Sequence, residues 1–453
     1  MTDDPEQNRL TARAARYAKV GANIGGVAAR MAGARLTGSQ NLSAGNAAAL
    51  AAALGRLKGP LVKVAQLMAT IPDVLPADYA AELQKLQSQA PPMGWVFVKR
   101  RMSAELGPDW ESRFASFEKT AAAAASLGQV HRAVTHGGET VACKLQYPDM
   151  ASVVEADLQQ LSILFALHRR MNGVIDTSQA AEEIAARVRE ELDYVREAGH
   201  ARLYGQMLKD TALVRVPAVH ASLSTRRLIT LGWLDGRRLL DFKGHDLEDR
   251  NRLATAMFTA WWLPFSHYGV IHGDPHLGNY TVFEQAGRPA GINLLDYGCI
   301  RIFPPRFVGG VVDLYEGLRT DNRERIVHAY ETWGFRSLNA GLIDTLNIWA
   351  RFIYGPLLDD RVRTIADSVS PAEYGRREAG RVQQELRKHG AVTVPREFVF
   401  MDRAAIGLGG VFLHLGAELN FYRLFNDQIA DFSLERVAAR QTAALAEAGL
   451  SSG

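Results

Sequence analysis

HGDPHLGN, running from His272 to Asn279, places Asp274 five residues before Asn279, and LLDYG brings in Asp296 seventeen residues beyond Asn279. A carboxylate, a carboxamide oxygen and a second carboxylate at this spacing suit phosphoryl chemistry. The hard oxygens of Asn279 and Asp296 can hold Mg²⁺ on nucleotide phosphates. Asp274 is left to accept a proton from an incoming nucleophile, or to orient it. A Gly-Asp pair alone in a loop reads as a turn; the combined spacing argues for more. VACK, Val141 to Lys144, ends a β-branched run on a lysine that can reach phosphate oxygens. Upstream, Ala123-Ala124-Ala125-Ser126-Leu127-Gly128-Gln129-Val130 aligns with a GxGxxGxV phosphate loop. The third glycine, Gly128, and the valine, Val130, are kept, and the first two glycines are alanines. Alanine keeps the backbone away from positive φ and from the closest approach to phosphate, so this loop should grip phosphates in its own way. Lys144 needs an anionic partner on a helix, and EELDYVREAGH supplies Glu190, Glu191, Asp193 and Glu197 as candidates.

The elements that must carry these groups follow from the patterning. HRAV and VACKLQ, separated by His136-Gly137-Gly138, predict a β-hairpin. Helical periodicity covers roughly Ala151 to Met171 and Ser178 to Leu208, with Asp193 and Glu197 on one face of the second helix. RLITLGWL is strand-like and ends at Asp235-Gly236. Beyond it the chain reads as mainly helical, except for an extended region from Asn279 to Ile302 in which EQAGRPAG forms a hairpin turn. The last residues, ALAEAGLSSG, are expected to be a fraying helix and tail. Pro72 and Pro76 break the segment from Leu61 to Leu86 into helix, turn and helix. Four segments are expected: 1–40, basic Ala/Gly-rich helices; 41–113, a helical extension; 114–235, a strand-bearing unit with inserted helices; and 236–453, a helical unit.

The 453 residues carry 52 Lys+Arg against 49 Asp+Glu, a formal charge of +3, with 47 % hydrophobic residues. This excludes disorder and a fibrous protein, and gives no reason to expect nucleic acid as a partner. Only Cys143 and Cys299 are present, so there is no zinc spacing, and the pair fits a reducing cytosol. No run is long and apolar enough for a membrane span. From Asn8 to Lys63 there are nine Lys/Arg and no acid, which reads either as helices packed on the rest of the protein or as contact with an anionic membrane surface.

Together these blocks resemble the UbiB/ADCK family of atypical, protein-kinase-like proteins over most of residues 50–303. KVAQ, Lys63 to Gln66, is similar to the family's KxGQ motif, with Ala65 in place of glycine. Glu191 to Asp193 resembles its ExD motif, Glu197 its lysine-pairing glutamate, AAAAAS its alanine-rich loop, and HGDPHLGN and DYG its catalytic and metal loops. The resemblance implies an α+β, two-lobed kinase-like fold with a β-rich N-lobe, a helical C-lobe and an N-terminal extension over the active site. There Lys63 and Gln66 would meet Glu191 and Asp193 as a regulatory contact. It also implies ATP or ADP with Mg²⁺ as cofactors and ATPase activity rather than protein phosphorylation. A role in ubiquinone or other isoprenoid-lipid metabolism follows, with an isoprenoid lipid, an anionic membrane surface or lipid-biosynthesis proteins as partners. The expected location is cytoplasmic, or peripheral at the inner membrane surface.

After DYG the chain reads CIRIFPPRF and passes directly into helix-like sequence, with no APE-type segment to receive a peptide. Two other readings compete. An aminoglycoside or choline kinase-type phosphotransferase also uses an HGDxHxGN-like loop. A nucleotide-gated lipid-binding module without turnover would suit the basic N-terminal stretch.

Overall fold

The computed structural model of the chain describes residues 93–124, 127–156, 158–159, 182, 185–186, 188–366, 376–389 and 395–450. Lys63, Gln66, Ala125, Ser126 and the basic N-terminal stretch lie outside them. The described residues fall into two compact units, one holding those up to position 172 with Ala180–Glu197 and Val219–Trp233, the other Ala198–Ala218 and everything from Leu234 onward.

The first unit is built on a five-stranded antiparallel sheet. β1 (Ser116–Phe117) and β2 (Ala123–Ala124) both pair with β3 (Gly128–Val134), which pairs with β4 (Thr140–Gln146), which pairs with β6 (Leu228–Gly232). The β3–β4 hairpin is the one expected, in register from Gly128↔Gln146 to Val134↔Thr140. Its turn closes with Thr135 N–H on Glu139 O at 2.9 Å and places Gly138 at φ +82°. The period-two alternation of strand side chains divides the sheet into two faces. Ala133, Val141, Cys143, Leu145 and Leu228 form the core with Val98, Met102 and Leu106 of helix α1 (Trp95–Leu106), and with Trp110 and Phe114. Arg101 ties α1 to the sheet, its Nε on Gln146 O at 3.1 Å and its Nη2 on Tyr147 O at 3.3 Å. The other face carries the row Ala123, Val130, Lys144 and Ile229, paired strand to strand, with Ala142 beside it opposite Leu231.

The periodicity predicting one helix to Leu208 is interrupted. Glu191 and Leu192 form a turn, and helix α2 (Tyr194–Met207) starts afresh. Asp193 is its cap: Oδ1 accepts the backbone N–H of Val195 and of Arg196, both at 3.1 Å. Aspartate competes for backbone donors and favours this place over a helix interior, so Asp193 does not share a helical face with Glu197.

In the second unit helix α3 (Leu247–Tyr268) ends at Gly269 in the left-handed region and turns directly into β7 (Val270–His272). β8 (Tyr280–Gln285) and β9 (Arg288–Leu294) form the second expected hairpin, closed by Ala286 and Gly287 at φ +50° and +77°. The two-residue strand β5 (Val214–Arg215) pairs with β9 on its other edge. β10 (Ile300–Ile302) pairs antiparallel with β7, so the segment after Asp296 folds back on the strand that leads to Asp274. Helices α4 (Pro305–Arg319), α5 (Arg323–Thr332), α6 (Ala340–Tyr354), α7 (Arg376–His389), α8 (Arg396–Leu415), α9 (Phe421–Ile429) and α10 (Leu434–Ala448) complete it. The end of α10 does not fray. Gly449 takes the left-handed conformation and Leu450 N–H returns to Leu445 O at 2.9 Å, while Leu445 and Ala448 are buried. That is a Schellman cap with an apolar residue after it, which the alanine-rich composition concealed.

Candidate active site

Lys144 is partly buried on the non-core face of its sheet. Its Nζ donates to Glu197 Oε1 at 2.7 Å and lies 5.2 Å from the centre of the Tyr194 ring. Of the four acids offered by the sequence, Glu197 is the one that pairs with Lys144; its side chain is 3 % exposed against 17 % for the lysine. Glu190 instead meets Arg196 at 3.2 Å. Gly128 has a local reason to be glycine: a Cβ there would strike Leu145 O on the neighbouring strand and approach the Tyr194 hydroxyl. Ala123 and Ala124 form an exposed strand edge paired with Val130 and Gln129, so this part of the alanine run is extended and not helical.

The second unit gathers the other three groups. His272 is fully buried between Trp261 and Tyr204. Asp274 N–H donates to its Nδ1 at 3.1 Å, which leaves the hydrogen on Nε2 to be donated to Asp296 O at 2.9 Å. Leu295 N–H donates to Asn279 O at 2.9 Å, and Asn279 Nδ2 donates to Asp274 O at 3.0 Å. One imidazole, one backbone bond and one side-chain amide bond thus hold the loops of Asp274, Asn279 and Asp296 together. Asp296 Oδ1 accepts Gly298 N–H at 3.1 Å. Tyr297, next to Asp296, satisfies its hydroxyl on Leu294 O at 2.9 Å. His200 Nδ1 lies 3.1 Å from Tyr297 O, and Tyr204 packs on the Tyr297 ring at 5.8 Å. Glu197, His200 and Tyr204 are spaced i, i+3 and i+7 on α2. Burial raises the Tyr280 hydroxyl above its ordinary pKa, and the charge of Asp274 adds to it.

Sequence spacing missed Arg403. From α8 its Nη2 donates to Asp274 Oδ1 at 2.6 Å, with the two side chains only 11 % and 6 % exposed. The two residues are 129 positions apart, and nothing in the local pattern around Arg403 marks it.

Among the described residues no group of three or more His, Cys, Asp or Glu could hold a metal ion unaided. The donor set fits Mg²⁺ all the same, since that ion takes one or two protein oxygens and fills its shell from phosphates and water. Asn279 spends its amide N–H on Asp274 O, leaving the amide oxygen as its metal-binding atom.

A family model described as the ABC1 atypical kinase-like domain matches residues 85–330, more than half of the chain. The chain belongs to this family of UbiB-type atypical kinases. An uncharacterized protein of Synechocystis is 28 % identical over 80 % of this chain and 61 % of its own length. The chloroplastic protein ACTIVITY OF BC1 COMPLEX KINASE 7 of Arabidopsis thaliana is 34 % identical over 49 % of this chain and 33 % of its own. The mitochondrial atypical kinase COQ8B of Rattus norvegicus is 26 % identical over 63 % and 54 %. The chain therefore spans between one third and three fifths of the length of these curated family members. Among solved structures, the complex of Rv3197 with erythromycin from Mycobacterium tuberculosis superposes with a TM-score of 0.57 at 25 % identity, covering 83 % of this chain and 93 % of that one. The fold is accordingly α+β and kinase-like.

Proposed function

We propose that the chain binds ATP or ADP with Mg²⁺ and turns the nucleotide over as an atypical kinase-like ATPase, in support of ubiquinone or other isoprenoid-lipid metabolism. The observation that carries this reading is His272, whose two ring nitrogens fix the backbones at Asp274 and Asp296 while Asn279 is bonded to both neighbouring loops. Such tight coupling suits groups that must act on one small anion. Lys144, held by Glu197, is the phosphate contact, and Val130 and Ala142 supply an apolar surface on the same sheet face for a base. Asn279 and Asp296 would hold Mg²⁺, which supplies charge neutralisation on the phosphates. Asp274 orients the acceptor.

A protein acceptor is disfavoured because β10 begins four residues after Asp296 and α4 follows it at once, leaving little chain to receive a peptide. No helix among the described residues is long and apolar enough to cross a membrane, so contact with an isoprenoid lipid or an anionic bilayer would be peripheral. Lipid-biosynthesis proteins belong to the same proposal as partners, and nucleic acid does not.

The test is thermal stabilisation by ADP and ATP with and without Mg²⁺, together with phosphate release. Asp296→Asn should remove the Mg²⁺-dependent part and Lys144→Ala most of the nucleotide shift. Wild-type shifts in both variants would remove the assignment, and rapid phosphorylation of a soluble alcohol would replace ATPase with phosphotransferase.

A further inference from the structure

The guanidinium of Arg403 has two ends with different fates. Nη2 is committed to Asp274 at 2.6 Å, while Nη1 is buried and has no hydrogen-bond partner among the described residues. A buried cationic N–H left unsatisfied is costly, and it calls for an acceptor such as a bound anion or a water. The two Nη atoms of one guanidinium are rigidly linked, so whatever accepts from Nη1 must sit close to the Asp274 carboxylate.

The helix is held where this matters. Gly407, one turn after Arg403, lies so near Pro275 that a Cβ would strike its ring, so the same face of α8 seats the loop that carries Asp274. The residue before, Asp402, accepts the Trp349 indole N–H at 3.2 Å and locks this turn of α8 to α6. Arg403 is therefore carried on a turn of α8 braced on both sides, with its own side chain only 11 % exposed.

We propose that Arg403 is an anion-contacting residue of the site: Nη2 holds Asp274, and Nη1 receives an oxygen of the phosphoryl group in transfer. This rests on the nucleotide reading above. During transfer the bond from the γ-phosphorus to the bridging oxygen breaks and its electron pair stays with ADP. A lone pair of the acceptor oxygen, water in the ATPase case, forms the new bond, and the acceptor's proton leaves through the Asp274 carboxylate. Negative charge shifts onto oxygens beside Asp274 as this happens, where a fixed buried cation stabilises it most. An in-place arginine of this kind contributes on the order of 10³-fold or more to phosphoryl transfer in other nucleotide enzymes.

The experiment uses the full chain, with Mg²⁺-ADP alone and Mg²⁺-ADP with aluminium fluoride as a mimic of the phosphoryl group in flight. Wild type should gain a further thermal shift from aluminium fluoride. Arg403→Gln and Arg403→Lys should keep the ADP shift and lose most of that increment, and kcat should fall about 100-fold or more while KM stays within about threefold. Arg403→Lys retains the charge and decides the matter if Arg403→Gln does not fold. A full aluminium fluoride increment with an unchanged kcat in Arg403→Lys overturns this inference alone. No ADP shift in wild type overturns the nucleotide reading and this inference with it.

Discussion

Lys144 and Glu197 form a 2.7 Å ion pair in which the carboxylate is almost wholly buried and the ammonium is not. The lysine is the less buried of the two, at 17 % exposure against 3 %. Removing only the lysine takes a cation from a buried carboxylate: Lys144→Met should destabilise the first unit by about 3–5 kcal/mol, by the usual cost of breaking a buried pair. Glu197→Gln removes the charge from the more buried partner and should cost less. Lys144→Met combined with Glu197→Gln should recover part of the loss in a denaturant-unfolding cycle. Equal costs for the two single variants would show that the burial asymmetry has no energetic weight.

His272 should matter for stability and turnover together. It is fully buried, packed by Trp261 and Tyr204, and bonded on both nitrogens. His272→Ala removes the packing and two hydrogen bonds, and about 3–5 kcal/mol is expected from large-to-small and unsatisfied-group costs. Because Asp274 and Asp296 are then no longer joined through the imidazole, kcat should drop even at temperatures where the variant is folded by circular dichroism. A folded variant with wild-type turnover would show that the imidazole is only structural filling.

Local signals marked most of the candidate residues within each unit. Residue types at fixed spacing picked out Asp274, Asn279, Asp296 and Lys144, and glycines at turns marked both hairpins, because these features act within a few residues. Choosing Glu197 from four acids needed the fold family or the structure, since helical spacing alone leaves every acid on the helix available. The break at Glu191–Asp193 was hidden because a capping aspartate inside an otherwise helical pattern looks like an ordinary polar position. Arg403 was invisible for a different reason. Its pairing spans 129 residues and is made by packing of α8, through Gly407 on Pro275, which no local pattern encodes.

The β8–β9 turn offers a stabilising change. Both loop residues have positive φ, and the first is alanine at φ +50°. An L-residue with a Cβ is strained there by about 1–2 kcal/mol, while asparagine and glycine tolerate it. Ala286→Asn should raise the stability of the second unit by about 0.5–1 kcal/mol, read from the denaturant midpoint. A lower midpoint would mean that the turn is not held in this conformation in solution.

Acid sensitivity should trace in part to His131. This imidazole is fully buried, with Nδ1 2.8 Å from Glu118 O and Nε2 2.8 Å from Gln129 Nε2, which is itself a donor. Nδ1 must therefore carry the hydrogen and Nε2 must accept, so the neutral ring satisfies both partners and a second proton would set two donors against each other. Burial is the main cause that lowers its pKa from 6.5, with the Glu118 contacts opposing. The folded state then binds the proton less readily than the unfolded chain, so the stability tied to this group is complete above about 6.5 and declines as pH falls from there toward the lower folded value. His267 and His414 are lowered as well and add slopes of the same sign. The measurement is the difference between wild type and His131→Asn, a non-titrating side chain, in unfolding free energy from pH 7.5 to 5. The wild-type curve should fall more steeply over that range and the gap between the two should narrow on acidification. Parallel curves would show that His131 keeps its unfolded-state proton affinity in the fold.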